Sequence, residues 1–139
     1  MARIQLTFPE KTLFTTVLDV RITDLNYGGH LGNDSVLSLL HEARVRFLQY
    51  LGFRELDVAG TGIIMSDAAI QFKGEAFYGE QLTIAMAVAD FSRVSFDLYY
   101  LVTNNDKTIA LAKTGIVFFD YTQRKMVPVP EAFLLAVNR

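Results

Sequence analysis

The chain has 139 residues, 51% of them apolar and 20% charged, with 13 basic and 15 acidic side chains and a formal net charge of -2. At about 150 residues per domain it is one domain, residues 1–139, and it is too apolar and too weakly charged to be disordered. It has no basic excess for nucleic acid, no apolar run near ~18 residues to cross a membrane, no secretory core in the opening MARIQLTFPEK and no cysteine for a disulfide or thiolate site. A cytoplasmic location is the expectation that fits.

Residues 12–22, TLFTTVLDVRI, alternate and are rich in β-branched types, which predicts a strand. Residues 23–34, TDLNYGGHLGND, are loop chemistry, with Gly28-Gly29 as a breaker and Asn33 or Asp34 as the expected N-cap. Residues 35–51 predict the one long helix. Val36, Leu40, Ala43, Phe47 and Leu51 form its stripe, and Leu37, Leu39, Val45 and Leu48 widen it. His41, Glu42, Arg44 and Arg46 supply its polar face, and Gly52 its C-cap.

Residues 63–73, 81–90, 93–103 and 108–120 predict four strands, with Asn104-Asn105-Asp106-Lys107 as a hairpin turn. Pro130 and Glu131 open a short C-terminal helix. One strand, a long helix and four strands in a meander make an α+β fold, an antiparallel sheet with one helix on a face. One helix cannot cover both faces of such a sheet. The mean hydropathy of +0.26 is high for so small a chain. Both facts predict hidden apolar surface, in a subunit interface or a pocket for an apolar ligand.

The loop at 24–33 is the most informative segment. It is polar, glycine-rich and runs into a helix N-terminus, whose free N–H groups and dipole favour negative charge. Such a loop builds an oxyanion site from backbone alone, or is a plain strand-to-helix connection.

RITDLNYGGHLGND followed by HEARVRFL resembles the hotdog-fold acyl-CoA thioesterases of the 4-hydroxybenzoyl-CoA thioesterase type. AFYGEQLTI, SRVSFDLYYLV, ALAKTGIVFFD and RKMVPVP keep that family's order and spacing. The resemblance implies a hotdog fold, a curved antiparallel sheet wrapped around one long central helix. It also implies hydrolysis of acyl-CoA or acyl-carrier-protein thioesters, with coenzyme A entering as part of the substrate, not as a cofactor. Homodimers, sometimes paired into tetramers, are implied too.

Many relatives carry Asp-x-Asp in this loop, the second Asp being catalytic. Here those positions hold Asp24 and Asn26, and an amide neither takes a proton as a base nor attacks as a carboxylate. Plant acyl-carrier-protein thioesterases have Asp, Asn and His in the loop; the His matches His30, while Asn26 and Gly28 hold the other two places. Three readings follow. Another acid does the work, with Asp67 in IIMSDAAI ahead of Asp24 and Glu42. Alternatively Asn26 orients a water while His30 acts as base. Or the chain binds acyl-thioesters without cleaving them.

Backbone N–H groups near Gly28, Gly29 and His30 are the expected oxyanion donors. Arg93, Arg124 and Lys125 are the cations expected to meet coenzyme A phosphates. Met65, Met86, Phe72, Phe77, Tyr78, Phe96 and Tyr99 are candidates to line an acyl pocket. Glu42 and Arg46 stand at i,i+4 and read as a helix-face ion pair. With only His30 and His41 and no spaced carboxylate partner, no metal site is expected.

Overall fold

A computed structural model describes residues 2–139. The elements are β1 (Phe14–Asp19), a 3-10 turn (Ile22–Asp24), α1 (Asn33–Leu51), β2 (Gly62–Phe72), β3 (Gln81–Ala89), β4 (Ser95–Asn104), β5 (Lys107–Asp120), β6 (Lys125–Met126) and α2 (Glu131–Val137). The sheet runs β1-β3-β4-β5-β2, with β6 folded back on β5. All pairs are antiparallel.

The expected four-strand meander is only partly formed. β3, β4 and β5 are consecutive hairpin neighbours, but β2 pairs with β5 and not with β3. The connections explain the difference. A two-residue turn with left-handed Asn105 (φ 52°) joins β4 to β5. Eight residues, 73–80, separate β2 from β3. They carry the chain under the α1 N-terminus to the opposite side of the sheet, where β3 pairs with β1.

The register assigns the faces. Phe14, Met86, Tyr100, Ala112 and Ile70 form one continuous row across all five strands. That row faces α1, whose Leu40, Ala43 and Phe47 are fully covered. Each large side chain so buried contributes about 1.5–3 kcal/mol. α2 closes one end of this core through Phe133, whose ring centroid lies 4.9 Å from Phe96 and 5.3 Å from Phe118. Phe133→Ala would cost about 3–5 kcal/mol.

α1 begins two residues earlier than the sequence predicts. Its N-cap is Gly32, not Asn33 or Asp34, and no side chain caps it. Gly32 instead donates its N–H to Asp24 O at 2.9 Å. Gly52, at φ 93°, ends the helix as expected. Arg44 departs from the expected polar face, since it is buried.

The opposite face of the sheet carries Asp97, Gly115 and Asp67 in one row and Tyr99, Lys113 and Ala69 in the next. The segment before β1 reaches this side, where Leu6 donates its N–H to Gln71 Oε1. β1 and β2 are the two edges.

Candidate active site

The segment between β1 and α1 forms a small hairpin. Leu25 and Leu31 bridge, Asn26 N–H donates to His30 O at 2.9 Å, and Gly29 N–H donates to Asn26 O at 3.0 Å. Gly29 sits at φ 81°, which a side chain would resist. Inside the turn, Asn26 Oδ1 accepts the Gly28 N–H at 2.9 Å. Leu31 N–H donates to Ala76 O at 2.8 Å, and His30 bridges Phe77. The turn is thus docked on the β2–β3 connection, at the end where α1 starts.

Gly28 lies at the centre. A methyl group there would stand 3.3 Å from both Asn26 Oδ1 and His30 Nε2. Asn26 and His30 therefore flank Gly28, whose missing side chain leaves the space between them open. His30 is half-buried, edge-on to Phe77, with Nε2 3.9 Å from Glu75 Oε1. The uncapped first turn of α1 adds the positive end of the helix dipole nearby. Tyr27, Ile22, Phe77 and Tyr78 form an exposed apolar rim around this end.

The structure thus brings Asn26, Gly28, Gly29 and His30 together, and sets the other candidates apart. Asp24 is buried and occupied locally. Its Oδ2 accepts the Arg21 N–H at 2.8 Å, and its Oδ1 pairs with Arg21 Nη2 at 3.1 Å. Burial works against its charge, but the Arg21 hydrogen bonds outweigh burial and hold the carboxyl below its ordinary range. Asp67 lies on the sheet face away from α1. A bulge at Ser66 shifts the register between Met65 and Asp67, so Met65 pairs with Ile116 and Asp67 with Gly115. These neighbours point to opposite faces. Asp67 Oδ1 accepts from Lys113 Nζ at 2.8 Å and from Gly115 N–H at 3.0 Å. Lys113 holds the carboxyl below its ordinary range, a poor setting for a base. Glu42 pairs with Arg46 at 2.9 Å, as its spacing predicts.

Arg124 and Lys125 lie in the β5–β6 turn, and Arg93 in the β3–β4 connection, its carbonyl accepting the Val129 N–H. All three are exposed, at the end of the sheet away from their own chain's loop. The acyl-pocket candidates divide. Met86 and Phe96 are core, Tyr99 faces away from α1 and bonds Asp90, and Met65, Phe72, Phe77 and Tyr78 are exposed.

Sequence reasoning missed a polar chain beside α1. His41 Nε2 meets Glu55 Oε1 at 2.8 Å, Arg44 Nε meets Glu55 Oε2 at 2.7 Å, Arg44 Nη1 reaches Tyr100 Oη at 3.4 Å, and Tyr100 Oη meets Thr114 Oγ1 at 2.8 Å. Burial pushes Glu55 up, but the bonds from Arg44 and His41 prevail and hold it below its ordinary range. The signal was HEAR itself, but its acceptor sits in a connector with no pattern of its own. His41 lines three clefts. One of about 480 Å³ lies between α1 and β1. Two of about 350 and 240 Å³ lie between α1 and β2, walled by Met65.

A family model described as the thioesterase-like superfamily matches residues 20–137. A 1,4-dihydroxy-2-naphthoyl-CoA hydrolase of Microcystis aeruginosa is 28% identical over 116 residues, covering 81% of this chain and 84% of that protein. The structure of a 1,4-dihydroxy-2-naphthoyl-CoA thioesterase from Synechocystis superposes with a TM-score of 0.81 at 22% identity, covering 90% of this chain and 95% of that one. A gentisyl-coenzyme A thioesterase superposes at 0.78 and 21% identity, covering 91% and 100%. These structural likenesses show the hotdog fold. No helix among the described residues is long and apolar enough to cross a membrane.

Proposed function

The chain belongs to the thioesterase-like superfamily, and on that premise we propose that it hydrolyses the thioester of an acyl-coenzyme A by attack of an activated water. The observation that carries this reading is the placing of Asn26 and His30 on either side of Gly28 at the start of an uncapped helix. The expected donors Gly28 N–H and Gly29 N–H are already bonded to Asn26, so a thioester carbonyl seated there relies on the uncapped first turn of α1 and its dipole to stabilise an oxyanion as it forms. Water adds to the carbonyl carbon and gives its proton to a base. The tetrahedral intermediate then collapses, the C–S bond breaks, and the thiolate takes the proton back. The products are a carboxylic acid and free coenzyme A. Asn26 is suited to orient the water by hydrogen bonds, and His30 is the imidazole closest to it within the loop.

The acyl group in this reading is aromatic. The similar proteins act on naphthoyl and gentisyl thioesters, and the rim of Tyr27, Phe77 and Tyr78 offers flat apolar surface to a ring. Arg124 and Lys125, and Arg93 near them, are proposed to meet coenzyme A phosphates. They can do so only from a second copy, as they lie at the far end of their own sheet.

The test is a panel of aryl and straight-chain acyl-CoA substrates, with thiol release as the readout. Turnover on aryl members with slower turnover on long alkyl chains is expected. A folded protein that releases no thiol from any member would sink the proposal. Asn26 in place of a carboxylate favours one other reading, retention of an acyl-thioester without hydrolysis. Calorimetric binding with no thiol release would establish that reading instead.

A further inference from the structure

We propose that His41, oriented by Glu55 and Arg44, is the base that activates water, acting on a carbonyl held by the Gly28–His30 loop of a second copy paired along β2. This rests on the hydrolytic reading above and on the homodimer that the family resemblance implies, and deepens them by naming the base.

The two imidazoles differ in how they are held. Among the described residues His30 has no carboxylate within hydrogen-bond distance, Glu75 standing off at 3.9 Å. His41 Nε2 sits 2.8 Å from Glu55 Oε1. A carboxylate there takes the Nε2–H, fixes the tautomer and leaves Nδ1 as the proton acceptor. Glu55 is itself held at 2.7 Å by buried Arg44. Histidine, carboxylate and arginine thus form a preset unit rather than a mobile surface pair. Nδ1 has no hydrogen-bond partner among the described residues, and the ring lines the clefts on the β2 side of α1.

One chain cannot use this unit with its own loop. His41 is eight residues beyond Asn33, about 12 Å along the helix at 1.5 Å per residue. A base and an oxyanion donor must both lie within about 3–3.5 Å of one reacting centre. The open edge of β2 resolves this. Strand partners occupy one side of β2 only, and past Ile63, whose N–H and carbonyl bond Glu55 O and Tyr121 Oη, its outer side is free. Antiparallel pairing about a two-fold axis lays the Phe72 end of one β2 beside the Gly62 end of the other. The Phe72 end leads into Ala76 and Phe77, which hold Leu31 and His30 of the loop. The Gly62 end contains Ile64 and Met65, which wall the cleft of His41. Pairing therefore carries the loop of one copy toward His41 of the other. Exposed Ile64, Met65, Phe72, Leu37 and Leu56 supply apolar surface along the same side. The water's proton passes to Nδ1 of His41 and is returned to the departing thiolate, so no other reactant is required.

The experiment uses the full chain and the aryl-CoA member that the wild type turns over fastest. His41→Gln keeps an amide that can reach Glu55 and should lower kcat by about 10²–10⁴-fold, with KM changed by less than about threefold. Gly28→Val fills the space between Asn26 and His30 and should also abolish turnover. Co-expressing the two under different tags and isolating the doubly tagged species should restore activity, because each mixed dimer has one intact site. A wild type without turnover would defeat the hydrolytic reading itself. Wild-type turnover with His41→Gln within about threefold in kcat would overturn His41 as base. Inactive single variants, each with a cooperative thermal transition, whose mixed species stays inactive would overturn the two-copy placement.

Discussion

β1 and β2 each have one side without a neighbouring strand, but α1 treats them differently through two arginines two residues apart. Arg46 reaches outward over β1. Its Nη1 donates to Thr16 Oγ1 at 2.9 Å and to Val17 O at 3.1 Å, while Nε holds Glu42. An edge carbonyl is thereby occupied and the edge carries charge, two ways of discouraging strand addition. Arg44 turns inward on the β2 side, where Tyr121 Oη donates to Ile63 O at one end of the strand but, among the described residues, no charged side chain bonds the β2 backbone. β2 is also nearly twice as long, eleven residues against six. One edge is closed by its own helix, and the other is free beyond Ile63, with a built polar unit behind it.

The largest expected effect comes from breaking the open edge. Ala68 lies exposed next to the middle of β2, so in a two-fold pair it falls near its mate. Ala68→Glu would set like charges against each other at a cost of several kcal/mol. Sedimentation should show the pair dissociating, and thiol release should fall with it. Arg44→Met is expected next. It leaves Glu55 and the Tyr100 hydroxyl without their shared donor and should cost about 3 kcal/mol, read from urea unfolding.

Acidification probes the same side more gently. Glu55 and Asp24 both have carboxyls held below their ordinary range. Their stabilisation is complete above the unfolded carboxylate value and is lost as pH falls through the lowered folded values. The urea midpoint should hold steady down to about pH 4.5 and decline below it. Glu55→Gln should flatten that decline. Asp97, which burial pushes upward, acts in the opposite sense, so the comparison of wild type with variant is the measurement to make. The smallest effect belongs to the closed edge. Arg46→Ala removes a half-exposed ion pair and should cost about 0.5–1 kcal/mol, visible mainly as concentration-dependent association through β1.

Much of this was legible in the sequence. Alternating or continuous apolar runs located every long strand, the wide apolar stripe located α1, and the Asn-Tyr-Gly-Gly-His run marked the loop. What was hidden had non-local causes. Arg44 reads as a polar helix position, and only Glu55 and Tyr100, 11 and 56 residues away, make its burial tolerable. The pairing of β2 with β5 rests on where the 73–80 connection leads, which no local pattern encodes. The N-cap moved to Gly32 because Asp24 O was already waiting for its N–H.

Ser66 draws these threads together. A strand reads its sequence by parity, odd residues to one side and even to the other, and a single extra residue reverses the reading from there on. Without the bulge, Asp67 would share a face with Met65 and stand in the cleft beside His41. With it, the carboxylate is spent on Lys113 behind the sheet. Insertion or loss of one residue, with no change in side-chain chemistry, is therefore enough to decide whether this scaffold offers an acid or an imidazole to its substrate.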